Sequence, residues 1–284
     1  MTRDESIIEL RAWLRTPPGR AMLAWEQDRL DHAVADVFGY HALQLGLTEL
    51  EGLRTNRMPH RWLACDSLVP SLPPPAVAPP PDDSLLSTLL PPERVSLVCE
   101  FDALPFQNAS VDLVVLPHAL EMARDPHQTL REVERVLVPE GRVAIAGFNP
   151  ASLWGLRQRA GRLRQGLVAA GHARSLYLPS AGGFIGYWRL RDWLRLLGFE
   201  VEVGQFGCWR PPLKTQAWLD RYAWMDRLGD RWWPVLGGVY FLVAVKRVRG
   251  MHLVGRVRTE HRKAHAAPAV VASRQRQELV EPEL

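Results

Sequence analysis

The chain has 284 residues, 47% of them hydrophobic and 23% charged, with a formal net charge of +4. That length buries a real core, and that balance belongs to a folded globular protein, not a disordered or fibrous one. No apolar run approaches the ~20 residues needed to cross a bilayer, and the opening MTRDESIIELRAWL is charged with no apolar export core, so a cytoplasmic protein without a transmembrane segment is expected.

Three cysteines, Cys65, Cys99 and Cys208, are an odd number without metal-site spacing. They read as small buried apolar residues, and neither a disulfide framework nor a metal is expected. Positive charge is almost all arginine, the lysines being Lys214, Lys246 and Lys263. Two basic runs, Arg157 to Arg174 and Lys246 to Lys263, suit a phosphate-bearing partner or a membrane surface. A solvated face is the commoner outcome of such runs, and nucleic acid is not the expected partner.

Residues 1–37 read as two helices packed on the domain that follows. Ile7, Ile8, Leu10, Trp13 and Leu14 form the first apolar stripe. Pro17-Pro18-Gly19 breaks it, and Met22, Leu23, Trp25, Leu30, Val34 and Val37 form the second. Gly39 to Gly46 is a short strand ending in glycine, and Arg61 to Asp66 a second strand ending in an acid. Residues 70–92 hold nine prolines, which excludes a packed helix or central strand and predicts an exposed insertion.

From residue 94 strands and helices alternate. Val95–Cys99 and Val111–Leu116 are strands. Asp125 caps a helix with Pro126 in its first turn and Leu130, Val133, Val136 and Leu137 facing the core. Pro139-Glu140-Gly141 turns the chain, and Arg142–Gly147 is the next strand. Trp188–Leu197 is a helix, Phe199–Val203 a strand, Trp218–Leu228 a helix and Val239–Lys246 the last long strand. This rhythm implies parallel βαβ units in a doubly wound α/β sheet. Residues 249–284 lose periodicity and read as a disordered basic tail.

The segment LVCEFDALPFQNASVDLVVLPHALEMARDPHQTLREVERVLVPEGRVAIAGFNP carries an ordered set of motifs: Asp102, Leu104-Pro105-Phe106, Asp112, His118, Glu121, Asp125-Pro126, Arg131-Glu132, Arg135-Val136-Leu137 and Pro139-Glu140-Gly141. In this it resembles the type 11 methyltransferase-domain family of class I S-adenosylmethionine-dependent enzymes, with coverage over about residues 38–248. The resemblance implies a Rossmann-like seven-stranded sheet whose last strand is antiparallel. It implies an S-adenosylmethionine cofactor over the carboxyl ends of the first strands and a small-molecule or lipid-like methyl acceptor.

Cofactor residues follow by position. The family's glycine-rich loop after the first strand is reduced here to Gly46, with Gln44 in place of the acid and Thr48 and Leu50 in place of the other glycines. Asp66 is expected to take the ribose hydroxyls, since a carboxylate accepts both hydrogen bonds. Asp102 is expected to accept from the adenine amino group, with Ala103 and Leu104 beside it. His118 follows the fourth strand and lines the cofactor or acceptor pocket. His118 and Glu121 are the candidates for a general base if the acceptor must lose a proton. Asn149-Pro150 reads as a helix-entry turn before Ser152.

The stretch 209–236, with Trp218, Tyr222, Trp224, Trp232 and Trp233, admits three readings: a stacking platform for nucleic acid, an apolar lid for a hydrophobic acceptor, or a helical insertion whose tryptophans pack on the domain. Helical spacing favours the last. Two functions remain open: a working methyltransferase, and a catalytically degenerate fold used for binding or as a scaffold because of its eroded glycine loop.

Overall fold

The computed structural model describes residues 3–66, 96–167, 176–179, 183–213 and 215–247. The Pro-rich segment 70–92 and the basic tail 249–284 of the sequence reading lie outside the described residues.

Two helices, α1 (Arg3–Leu14) and α2 (Pro17–Ala35), open the chain. The Pro17-Pro18-Gly19 breaker is the beginning of α2. Thr16 caps it, accepting from the Gly19 N–H while its own hydroxyl donates to Trp13 O at 2.6 Å, and proline suits the first turn because its missing N–H would lack a helical partner anyway. Met22, Leu30 and Val34 are buried as expected, whereas Leu23 and Trp25 are half-buried and Ile8 is exposed. Ile8 lies off the seam that α1 buries with Leu10, Trp13 and Leu14. Trp13 meets Phe148, Trp154 and Tyr177 edge-on at 5.6, 5.9 and 6.5 Å.

Seven strands follow: β1 (His41–Leu45), β2 (His60–Cys65), β3 (Leu97–Val98), β4 (Val111–Pro117), β5 (Leu137–Phe148), β6 (Phe199–Gly207) and β7 (Val239–Lys246). They form one sheet in the order β3-β2-β1-β4-β5-β7-β6. The first five are parallel, and β7 runs antiparallel between β5 and β6. This is the seven-stranded α/β sheet that the resemblance implied. β4, β7 and residues 143–148 of β5 read as near-continuous apolar runs because both of their faces are covered. Asp112, the acid within β4, accepts from the N–H groups of Tyr40 and His41 at 2.8 and 2.9 Å and so anchors the start of β1.

The helices between strands are α3 (Ala119–Met122), α4 (Pro126–Val136), α5 (Leu153–Leu167), α6 (Tyr187–Leu196), α7 (Gln216–Arg221) and α8 (Trp224–Trp232). α4 is built as its sequence dictates. Asp125 accepts from His127 and Gln128 N–H at 2.9 and 3.1 Å, and Leu130, Val133 and Val136 are buried. Leu137 already belongs to β5, and Pro139-Glu140-Gly141 is an excursion within that strand. The register on β4 jumps from Val111↔Leu137 to Leu113↔Arg142, and Glu140 takes a φ of 63°. The single helix expected over Trp218–Leu228 is two. α7 ends at Arg221 with Tyr222 as its C-cap, and α8 starts at Trp224 after Ala223. Asn149 and Ser152 make the expected helix-entry turn: Ser152 Oγ donates to Asn149 O and accepts from the Gly155 N–H.

Candidate functional site

The strand order reverses between β1 and β4, and in open α/β sheets ligands bind at the carboxyl ends of strands beside such a switch point. The chain leaves β1 there through Gly46, whose φ of +101° is costly for any residue with a Cβ. A Cβ at Gly46 would stand 3.2 Å from that of Ala119 on α3.

Gln44 explains how the loop holds its shape without further glycines. Its amide nitrogen donates to Leu47 O and Leu50 O, both at 2.7 Å, and its oxygen accepts from the Gly52 N–H at 2.9 Å. The side chain is buried and its main hydrogen-bonding capacity is used inside its own loop. An acid at this position could not donate to those carbonyls. Thr48 and Leu50 are absent from the residues with positive φ, so they occupy former glycine places without backbone strain. Leu50 and Leu47 are buried, Leu47 against Leu10, Trp13 and Met122.

Asp66 stands one residue beyond β2, and Asp102 follows β3, its neighbour in the sheet. Asp102 is half-buried and Ala103 exposed. Their loop is gripped from α4. Glu132 accepts from the Leu104 N–H at 3.1 Å, and Arg135 donates to Leu104 O, Phe106 O and the Asn108 side chain at 2.7–2.9 Å. Arg135 also pairs with Glu132 at 2.8 Å, which lowers the Glu132 carboxyl below its ordinary range. Leu104 is therefore committed through both backbone groups and a buried side chain, leaving Asp102 and Ala103 as the open part of the loop. The repeated Arg-Glu…Arg signature is a clamp for this loop.

His118 occupies the carboxyl end of β4 with a left-handed backbone, φ 54°, a conformation that costs on the order of 1–3 kcal/mol for a residue bearing a Cβ. Its ring is fully buried. Nδ1 lies 2.7 Å from Glu121 and Nε2 2.9 Å from Glu26, which reaches in from α2. Burial by itself would lower the imidazole pKa; the two carboxylates outweigh it and push the value up to about 10. His118 is thus an imidazolium donating through both nitrogens at neutral pH. Both ring nitrogens are engaged by carboxyl groups of the chain itself. Glu121 is equally occupied: its second oxygen accepts from the Phe148 N–H at 2.7 Å. The imidazole is held between two carboxyl groups, and Glu26 Oε2 is buried without a hydrogen-bond partner.

Glu26 was missed by sequence reasoning although it left a signal. It lies on the line Met22, Glu26, Leu30, Val34, the buried edge of α2, where a carboxylate is out of place unless paired. Arg11 was missed too: it pairs with Glu49 at 3.3 Å and approaches Thr48, placing a cation over the Gly46 loop.

The thiols of Cys65 and Cys99 are pushed up to about 11, chiefly by burial, so they stay protonated. Among the described residues, no group of three His, Cys, Asp or Glu side chains is placed to hold a metal ion, and no helix is long and apolar enough to cross a membrane.

The 209–236 segment departs from expectation. Trp209 is buried against Gly229, but Trp218, Trp224, Trp232 and Trp233 face solvent. The helix break at Tyr222–Ala223 turns α8 so that only Gly229 among its residues is buried.

Residues 84–145 match the family model described as a methyltransferase domain. The chain is 42% identical over 98 residues to the uncharacterized protein YafS of Escherichia coli, which is 34% of this chain and 36% of that protein. It is 44% identical over 61 residues to a malonyl-[acyl-carrier protein] O-methyltransferase of Halorhodospira halophila, covering 21% of each. It is 35% identical over 51 residues to a demethylmenaquinone methyltransferase of Chlamydia pneumoniae, covering 18% of this chain and 22% of that protein. The matches thus span about a third of the first relative and about a fifth of the other two. The strand order is that of a seven-stranded doubly wound α/β sheet, and the ordered motif from Asp102 to Gly141 lies largely within the residues similar to the methyltransferase-domain model.

Proposed function

We propose that the protein is an S-adenosylmethionine-dependent methyltransferase acting on a small or lipid-like molecule. The observation that carries this reading is the rim formed by Asp66 and Asp102 at the ends of neighbouring strands, with the Asp102 loop clamped by Glu132 and Arg135. Two carboxylates at adjacent strand ends fit a nucleoside, one for vicinal hydroxyls and one for an exocyclic amine. Gly46 supports close backbone approach on the amino-acid side, and Arg11 supplies a cation near that loop.

S-adenosylmethionine held along the rim by Asp66 and Asp102 would supply an electrophilic, sulfonium-borne methyl group for a nucleophilic acceptor atom. The protein's share in this reading is positioning and the exclusion of water. Leu47, Met122 and Phe148, packed with α1 and α2, exclude water, and His118 holds the end of β4 to α2. The two named methyltransferase relatives carry names for chemically different acceptors, an acyl group on a carrier protein and a demethylmenaquinone, so their likeness supports the transfer reaction without naming this acceptor.

Titration of the purified chain with S-adenosylmethionine by calorimetry tests the reading. Saturable heat, lost in Asp102→Ala, is the expected result. Absence of heat and of any thermal shift at millimolar cofactor would overturn it and leave the degenerate binding or scaffold role.

A further inference from the structure

Helix α8 carries Trp224, Leu228 and Trp232 at i, i+4 and i+8, within about 80° of arc. All three face solvent, Trp224 and Trp232 being 52% and 68% exposed. Arg227 and Arg231 flank the stripe and are not buried. The opposite side of the helix is the seated one. Gly229 is buried under the Trp209 ring, where a Cβ would collide at 2.3 Å, and Asp226 pairs with Arg210 at 2.7 Å. The apolar stripe that a globular helix normally turns to its core here points outward.

α5 repeats the inversion. Trp154 and Gln158 are buried, while Leu156 and Leu163, on the far face, are 63% and 70% exposed beside exposed Arg159. α5 and its entry turn are tied to the chain that leads into α7 and to the chain that leaves α8. Trp154 Nε1 donates to Arg210 O at 2.7 Å, Arg157 donates to Pro212 O at 2.8 Å, and Asn149 donates to Val235 O and Gly237 O at 2.8 Å. They also share a rim with the candidate site, because Phe148 at the end of β5 and Gly207 at the end of β6 both pair with Val239 at the start of β7.

Charge selects the occupant. α5 carries arginines and no aspartate or glutamate, whereas on α8 Arg227 and Arg231 stand beside Asp226 and Asp230, so the cationic excess of this face lies on α5. A second copy of the chain would bring like charges together. A nucleic-acid strand would meet leucines, which offer no stacking surface. Tryptophan and leucine beside arginine match the headgroup–acyl boundary of a bilayer with acidic lipids.

We propose that the α5–α8 face docks on the surface of an anionic phospholipid bilayer, with Trp224, Leu228, Trp232 and Leu156 at the headgroup–acyl boundary and the exposed Arg159 and Arg162 of α5 on lipid phosphates. This rests on the lipid-like acceptor reading and deepens it by placing the mouth of the site against the phase that holds such a molecule. Docking itself needs no cofactor, so its failure and a failure to bind S-adenosylmethionine are separate results.

The test is co-sedimentation of the full chain with vesicles of phosphatidylcholine alone and of phosphatidylcholine with phosphatidylglycerol. The expected result is retention on the acidic vesicles that weakens with salt and falls at least tenfold in Trp224→Ala/Trp232→Ala and in Leu156→Ser/Leu163→Ser. Both variants change exposed side chains and are expected to keep the wild-type circular dichroism and cofactor heat. Three results would each overturn the proposal: no retention on either vesicle, retention that both variants keep in full, or a concentration-dependent dimer or oligonucleotide complex that the same variants abolish in place of vesicle binding.

Discussion

The buried imidazolium makes folding stability depend on pH in a defined direction. His118 has a pKa pushed up from 6.5 to about 10 by Glu26 and Glu121 against the opposing effect of burial. Below pH 6.5 the folded and unfolded chains both hold this proton, and the full stabilisation is present. Above it the unfolded chain loses the proton and the folded chain keeps it. Stability therefore falls by about 1.4 kcal/mol per pH unit until the folded value is reached. Between about pH 6.5 and 8.5 the loss amounts to about 3 kcal/mol, and with a urea dependence of about 3 kcal/mol/M it lowers the unfolding midpoint by about 1 M. The window stops there because the buried thiols of Cys65 and Cys99, also pushed up, act in the same direction above the ordinary thiol value of 9: the unfolded chain gives up their protons while the folded chain keeps them, which lowers stability further and blurs the slope due to His118. The informative perturbation is Glu26→Gln together with Glu121→Gln. It keeps the shape, lets the new amide oxygen at position 121 still accept from the Phe148 N–H, and leaves His118 neutral. Urea titrations at the two pH values should show the slope in the wild type and its near absence in the double variant. Equal slopes in the two proteins would refute the imidazolium assignment.

Three further outcomes follow from the same geometry. Gln44→Glu, which restores an acid at the family's position, should destabilise the chain by about 3 kcal/mol in urea, because two buried carbonyls lose their donor and face a carboxylate. Arg135→Ala should cost about 2 kcal/mol and weaken cofactor binding about tenfold, read by denaturation and calorimetry, since Leu104 O and Phe106 O lose their clamp. Asp102→Ala should abolish cofactor heat with little change in the melting temperature, because that carboxylate sits on the open part of its loop.

The fold was legible where periodicity and capping agree. Asp125-Pro126 announced α4, and the apolar runs announced β4 and β7. Sequence patterns failed where long-range packing decides. The Gln44 latch depends on carbonyls three and six residues ahead, which no pattern encodes. Glu26 meets His118 across 92 residues. The tryptophans of 209–236 have helical spacing, but spacing alone does not say which face is seated. Gly229 under Trp209 decides that, and it turns Trp224 and Trp232 outward. The erosion of the glycine loop looked in sequence like damage to the site. In the fold it is a differently braced turn with Gly46 at the one place where a positive φ is required.

The central claim is that S-adenosylmethionine lies along the ends of β1, β2 and β3. Amide hydrogen exchange with and without saturating cofactor tests it directly. Slower exchange is expected in peptides covering residues 41–50, 60–66 and 97–106, with α6 and β6 unchanged. Exchange that is identical throughout those three segments at saturating cofactor would contradict it.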